Sequence, residues 1–234
     1  WLSHLFEYIS GSLKEVTFEV YALEDIKAAD GESEDYYKKD DLIATITTDE
    51  TGVAKLTDIP LGKYYVKEKE TANGYVLDST AREIDLTYRN QDTAEVTYSS
   101  DWQNNRQKAE VKVLKKEKDS DRVLEGAVFA LCNKEDIVNA NGDVILKADT
   151  VIEEQATDKE GKLTFTADLP IGYTYYVKET SPAPGFATTD QVQEFTFEYD
   201  GADKETLSYE FTFEDEPTVV EITKTSLTDG KELE

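Results

Sequence analysis

The chain repeats itself with a period of about 110 residues, and that fixes the scale of its folding unit before any single residue is read. Gly62-Lys63-Tyr64-Tyr65-Val66-Lys67-Glu68 returns as Thr174-Tyr175-Tyr176-Val177-Lys178-Glu179, with the two glutamates 111 positions apart. Thr48-Asp49-Glu50-Thr51-Gly52 returns as Thr157-Asp158-Lys159-Glu160-Gly161, 109 positions on. Val16 to Val20 matches Ala127 to Leu131, again at 111. A third copy starts near the end: Val220-Glu221-Ile222-Thr223-Lys224 lies 109 beyond Val111-Lys112-Val113-Leu114-Lys115, and Leu233-Glu234 matches Leu124-Glu125. The expected units are 1–105, 106–217 and, as the first strand of a further repeat, 218–234. With no methionine in its 234 residues, the sequence fits a piece of a longer array.

Each unit reads as all-β. Short alternating runs, Thr17 to Tyr21, Leu42 to Thr47, Lys63 to Glu68, Glu83 to Tyr88 and Glu95 to Trp102, fill the first. The second holds Glu110 to Lys116, Ala127 to Leu131, Asp149 to Glu154, Leu163 to Thr166, Tyr173 to Glu179, Gln193 to Tyr199 and Thr206 to Phe213. Turn signals separate the runs: Asn73-Gly74, Asn141-Gly142 and Pro182-Ala183-Pro184-Gly185. About seven short strands per ~100 residues is the pattern of a two-sheet antiparallel, Ig-like or prealbumin-like sandwich. The longest stretches outside strands, Glu24 to Asp40 and Asn133 to Lys147, are expected to hold a helical turn each.

Three strand faces break the rule that apolar stripes stay apolar. In the strand from Glu110, the face of Val111 and Val113 continues into Lys115. The face of Tyr175 and Val177 ends in Glu179, and that of Phe211 and Phe213 in Asp215. An amine and two carboxyls are thus placed at the ends of core-facing stripes, where charges are normally avoided. Two readings are open. One is a half-buried salt bridge with the lysine stem snorkelling along the sandwich end. The other is a reactive site: a dry environment disfavours the charged forms of amines and carboxyls, and carboxyls sharing it hold a proton between them. Lys116 and Lys118 are rival candidates for the amine; Lys116 points away from Val111 and Val113 and is the weaker for it.

The motifs that flank these residues resemble the Cna-protein B-type (SpaA-type, prealbumin-like) repeat domains of Gram-positive surface proteins and pilins. They are Lys115-Lys116-Glu117, Leu124-Glu125-Gly126-Ala127, Asp158 to Gly161, Leu169-Pro170-Ile171-Gly172-Tyr173, Glu179, Gly185-Phe186 and the strand ending at Asp215, in order and largely duplicated. The resemblance implies an intramolecular isopeptide bond between Lys115 and Asp215, assisted by Glu179, with Asp215 standing where Asn is commoner. It implies structural stalk or shaft modules of a cell-surface adhesin or pilin, extracellular and cell-wall-anchored, whose partners are neighbouring domains of the same longer chain. A ligand-binding module for a host protein or glycan, or the accessory stalk of a surface enzyme, are the rival readings.

In the first unit the position of Lys115 is taken by His4, on the face of Leu2 and Phe6, while Glu68 and Asn104 match Glu179 and Asp215 at 111. Acid and acceptor persist without an amine, so no isopeptide bond is expected there; Lys224 is the corresponding lysine of the third copy. Glu15 replaces the glycine of the Leu-x-Gly motif.

Composition closes off other functions. Lys+Arg 25 against Asp+Glu 51 gives a formal charge of −26, which repels nucleic acid and anionic lipid. Cys132 is the one cysteine and His4 the one histidine, so an intrachain disulfide is ruled out and a Cys-His or Ser-His catalytic pair has no second base. No cofactor, metal site or multi-turnover enzyme is expected; self-crosslinking would be a single event. Asn139 to Asp143 is only loosely like a calcium loop and reads as a turn.

Overall fold

The computed structural model describes residues 6–8, 10–28, 30–90 and 95–224. Among these residues the chain is all-β, with thirteen strands and no helix. In the first repeat, β1 (Thr17–Ala22), β2 (Leu42–Thr47), β3 (Lys63–Glu70) and β4 (Arg82–Asp85) form one antiparallel sheet in the order β2-β1-β3-β4. Alternation in β1 sends Phe18, Val20 and Ala22 inward beside Val16, Ile26, Tyr64 and Val66. Trp102 closes over this face, edge-on to Phe18 at 5.0 Å, with the Arg82 guanidinium 3.8 Å from the Trp102 ring centre.

Residues 95–102, expected as a strand, pair with no strand among the described residues. Its equivalent in the second repeat pairs with that repeat's first strand, and the matching residues here, 1–5, lie outside the described residues. His4 lies among them.

The second repeat comprises β5 (Lys108–Glu117), β6 (Val128–Asn133), β7 (Ile137–Val138), β8 (Val144–Leu146), β9 (Val151–Ala156), β10 (Lys162–Phe165), β11 (Tyr173–Ser181), β12 (Val192–Phe197) and β13 (Thr206–Asp215). Sheets β10-β5-β13 and β12-β11-β6-β9 enclose a core that includes Val111, Val113, Phe129, Leu131, Tyr175, Val177, Phe197 and Phe213. Phe195 stacks against Tyr175 and lies beside Tyr209 and Phe211, and Phe129 meets Phe213 at 4.9 Å. β5 and β13 run parallel, from Lys108 beside Thr206 to Glu117 beside Asp215. The strand that enters the repeat and the strand that leaves it therefore point the same way.

Among the described residues neither long connection holds the expected helical turn. Asn133 to Lys147 folds as the β7–β8 hairpin, turning at Gly142 (φ 87°) with the Asn139 side chain accepting from the amides of Asn141 and Asp143, both at 2.9 Å. The alternation that buries Ile137 and Leu146 favours the hairpin, and Asn141-Gly142 suits its turn. Glu24 to Asp40 is drawn together by an antiparallel bridge between Ile26 and Tyr37.

The repeats meet in a joint where both side chains and backbone groups bond to the main chain. Gln107 is wholly buried; its amide donates to the carbonyls of Gly201 (3.0 Å) and Lys204 (2.7 Å) and accepts from the Asp200 amide (3.0 Å). Leu77 N donates to Ala202 O at 2.8 Å, and the Tyr199 hydroxyl to Tyr75 O at 2.9 Å. Part of this joint recurs at the far end of the second repeat. Gln107 N donates to Gly74 O at 2.9 Å, and 111 residues on Thr218 N donates to Gly185 O at 3.1 Å.

One backbone difference separates the repeats. Gly126 turns at φ 82°, and the equivalent Glu15 is held at φ 62°. An L-residue there costs about 1–2 kcal/mol, partly offset by the extra chain entropy that glycine loses on folding. Replacing Glu15 with glycine is therefore expected to stabilise the first repeat by about 0.5–1 kcal/mol. The check is its thermal midpoint, which should rise by a few degrees while that of the second repeat stays put.

Candidate functional site

The three interrupted faces of the second repeat converge. β5 buries every second side chain, so Val111, Val113 and Lys115 all point into the core, and Lys115 has 0% of its surface exposed. β13 does the same at its end with Phe213 and Asp215, and β11 delivers Glu179 beyond Tyr175 and Val177. Lys115 Nζ lies 2.9 Å from Glu179 Oε1 and forms a shorter contact with Asp215 Oδ1. The lysine is thus ion-paired to both acids in a place without water-facing surface. Phe129, whose ring centre lies 5.6 Å from Nζ, walls the ammonium on one side.

Backbone contacts hold the lysine in position. Lys115 N donates to Gly161 O at 2.8 Å, and Lys115 O accepts from Leu124 N at 3.0 Å. The Asp158 turn brings Gly161 there at φ 69°, and a Cβ on Gly161 would lie only 2.7 Å from the Lys115 carbonyl oxygen. This explains a glycine at the end of the Asp-x-x-Gly turn. On the other side, Thr189 N donates to Glu179 Oε2 at 3.0 Å. Burial pushes the Glu179 carboxyl above its ordinary range, against the opposing pull of the Thr189 amide and the Lys115 charge. Asp215 Oδ2 is buried with no hydrogen-bond partner.

The rival lysines are elsewhere. Lys116 faces outward toward Asp121, and Lys118 pairs at the surface with Glu216. Cys132 is buried on the other face of β6 beside Ala130 and Tyr176, and burial pushes its thiol up, away from the thiolate a nucleophile needs. Among the described residues no cluster of His, Cys, Asp and Glu could hold a metal ion.

The first repeat brings Glu68 and Asn104 together. Asn104 Nδ2 donates to both Glu68 oxygens, at 2.9 and 2.8 Å, and lies 3.0 Å from Val76 O; Asp78 N donates to Glu68 Oε2 at 2.6 Å. Asp78 and Thr189 are equivalent, 111 residues apart. Neither amide donor was legible in the sequence, because backbone donors leave no residue-type signal. His4 lies outside the described residues, and Lys224 is exposed and in no strand.

A family profile described as SpaA, prealbumin-like fold domain, matches residues 9–102 and 109–212. No match was found among curated proteins. Among solved structures the chain is similar to the Bacillus anthracis TIE protein, at 24% identity and TM-score 0.54, over 88% of this chain and 31% of that one. The chain therefore spans about a third of that relative. It is also similar to the shaft pilin SpaA from Lactobacillus rhamnosus GG (17% identity, TM-score 0.35, 90% of each chain). A third likeness is to GBS52, the minor pilin of Streptococcus agalactiae (18% identity, TM-score 0.35, 92% of this chain and 88% of that one). The likeness to the TIE protein is one of fold.

Removing the amine should expose how much the site depends on it. Lys115→Ala leaves two buried carboxyls without a cation; breaking a buried ion pair costs about 3–5 kcal/mol, and losing a Lys115–Asp215 crosslink would add to that, whereas Lys116→Ala, at the surface, should cost within about 0.5 kcal/mol. A carboxyl whose folded pKa is raised favours the fold while protonated, and that contribution is lost as pH rises through the folded pKa. The Lys115→Ala deficit is therefore smallest in acid and grows as pH climbs through the elevated Glu179 range. Denaturant unfolding at a series of pH values measures this; a deficit flat with pH would contradict it.

Proposed function

The chain belongs to the SpaA prealbumin-like domain family, and from that premise we propose that it is a tension-carrying segment of a Gram-positive cell-surface stalk or pilus shaft, its second repeat closed by an amide between Lys115 Nζ and Asp215 Cγ. The observation that carries this is the wholly buried lysine on the first strand of the repeat, held between a buried carboxyl on the last strand, Asp215, and another on β11, Glu179. A structural ion pair needs one acid; the second acid, with burial raising its pKa, supplies a proton relay.

The chemistry balances without a co-reactant. An ammonium and a carboxylate contain the atoms of one amide and one water. Glu179, 2.9 Å from Nζ, relays the two protons that the nitrogen sheds, one before attack and one after it, to the departing Asp215 oxygen, which leaves as water. The nitrogen attacks Cγ, the C–N bond forms, and one C–O bond breaks. An open groove lined by Lys118, Thr189, Asp190, Asp215 and Glu216 gives the released water a way out. Fixing amine and acceptor in contact is worth about 7–11 kcal/mol of barrier.

The topology says what such a bond would do. β5 enters the repeat and β13 leaves it, side by side and parallel. A Lys115–Asp215 bond would carry force straight from one to the other, and the residues between would bear none. As a crosslink closing a loop of about 100 residues it would stabilise the fold by about 4.7 kcal/mol on the chain-entropy account of disulfides, and reductants would not cut it. The acidic surface, with a net charge of −26, suits an exposed wall component that must stay soluble and unattached to anionic polymers.

Single-molecule pulling on the intact chain tests the proposal. One unfolding event is expected, from the first repeat, while the second stays shut. Glu179→Gln, which keeps the side-chain shape but removes the relay, should give two events. Two events from the unaltered chain would contradict the link, and none would mean that the first repeat is also crosslinked.

A further inference from the structure

Two asparagines stand directly before glycine, Asn73-Gly74 and Asn141-Gly142; every other asparagine is followed by a residue with a side chain. An asparagine carbonyl carbon and the backbone nitrogen of the next residue can close a succinimide ring, and the chain itself holds the reacting atoms together. Glycine presents no Cβ to crowd that nitrogen and leaves the backbone free to rotate into place.

Both asparagines are exposed, and neither side chain makes a hydrogen bond among the described residues. What separates them is the nucleophile. Gly142 N donates to Asn139 O at 3.0 Å, and the same hairpin is pinned by Asn139 Oδ1, which accepts from Asn141 N and Asp143 N at 2.9 Å each. Gly74 N donates to no acceptor among the described residues. Its turn is closed by one long bond, from Tyr75 N to Ala72 O at 3.2 Å.

The residues that follow Asn73 hold the repeats together. Gly74 O accepts from Gln107 N at 2.9 Å and Tyr75 O from the Tyr199 hydroxyl at 2.9 Å. Val76 N donates to Asn105 O and Leu77 N to Ala202 O, both at 2.8 Å. At the same register in the second repeat stands Pro184-Gly185, with no side-chain amide to react.

We propose that Asn73 is a self-modifying site that slackens the joint between the two repeats: Gly74 N closes on Asn73 Cγ, and hydrolysis of the ring leaves aspartate or isoaspartate at position 73. Water is the one co-reactant. Gly74 N gives its proton to solvent and bonds to Cγ, the Cγ–Nδ2 bond breaks, and the departing nitrogen takes a proton from solvent and leaves as ammonia. Water then adds to either ring carbonyl. Breaking the N–Cγ bond gives aspartate, with the main chain as before. Breaking the bond from N to the backbone carbonyl carbon gives isoaspartate, whose main chain runs through one extra methylene. That insertion lies immediately before Gly74, so it shifts Gly74 to Leu77 against their partners across the joint. The joint therefore stiffens the chain when new and loosens with age.

Peptide mapping of the full chain, held for increasing times in mildly alkaline buffer, tests the chemistry. One backbone hydrogen bond suppresses local opening by about five- to tenfold, so Asn73 should convert at least about tenfold faster than Asn141, whose turn has several. The rate should climb with pH, because Gly74 N reacts after losing its proton. No conversion at Asn73, or equal conversion at Asn141, overturns the proposal. Hydrogen exchange on the same samples tests the consequence. In the aged chain the amides of Val76, Leu77 and Gln107 should exchange at least fivefold faster than in the fresh one. In Asn73→Gln, whose longer side chain closes a ring far more slowly, they should keep their protection. An aged chain with isoaspartate at 73 and unchanged exchange at those amides would overturn the slackening.

Discussion

A lysine with no exposed surface would be intolerable alone, since a lone charge in a dry interior costs many kcal/mol. Lys115 is tolerated because β5, β11 and β13 each end an apolar stripe at the same depth, and two of those ends are carboxyls. The rest of the second repeat serves that meeting. Gly161 and Leu124 hold the lysine backbone, Thr189 holds one acid, and Phe129 with Phe213 seals the space between the sheets. The arrangement has one carboxyl more than charge balance requires. A second acid whose pKa burial raises belongs to chemistry more readily than to simple pairing.

The two repeats form an internal comparison. Same-register residues build the same turn at Thr48 and Thr157, the same acid at Glu68 and Glu179, and the same joint at Gly74 and Gly185. Where they differ, the first repeat is the looser. It has Glu15 strained where Gly126 is at ease, one sheet among its described residues where the second repeat has three, and neutral donors where the second has an ammonium. The recurring joint and, in the second repeat, the parallel first and last strands give the chain a direction, along which the proposed stalk would pass force.

Much of this was legible in the sequence because side-chain period in a strand is two: Val111, Val113 and Lys115 could only face one way, and so could Tyr175, Val177 and Glu179. The repeat itself gave the equivalence of Glu68 with Glu179. What stayed hidden depends on partners rather than on period. Thr189 acts through its backbone N–H. The parallel pairing of β5 with β13 follows from topology. Glu95 to Trp102 alternates like a strand, but alternation alone does not name the ladder partner that a strand's backbone needs. The hairpin in Asn133 to Lys147, where a helical turn is expected, stays hidden because its strands are two and three residues long, too short to register as a period.

The central claim is that the contact of Lys115 with Asp215 is covalent. Intact-mass measurement on the purified, unfolded chain tests it most directly. The account predicts a mass lower than the sequence requires by one water, restored to the full sequence mass, with only the substituted atoms changed, in Glu179→Gln. An unaltered chain weighing what its sequence requires would show an ion pair and nothing more, and the account would be wrong.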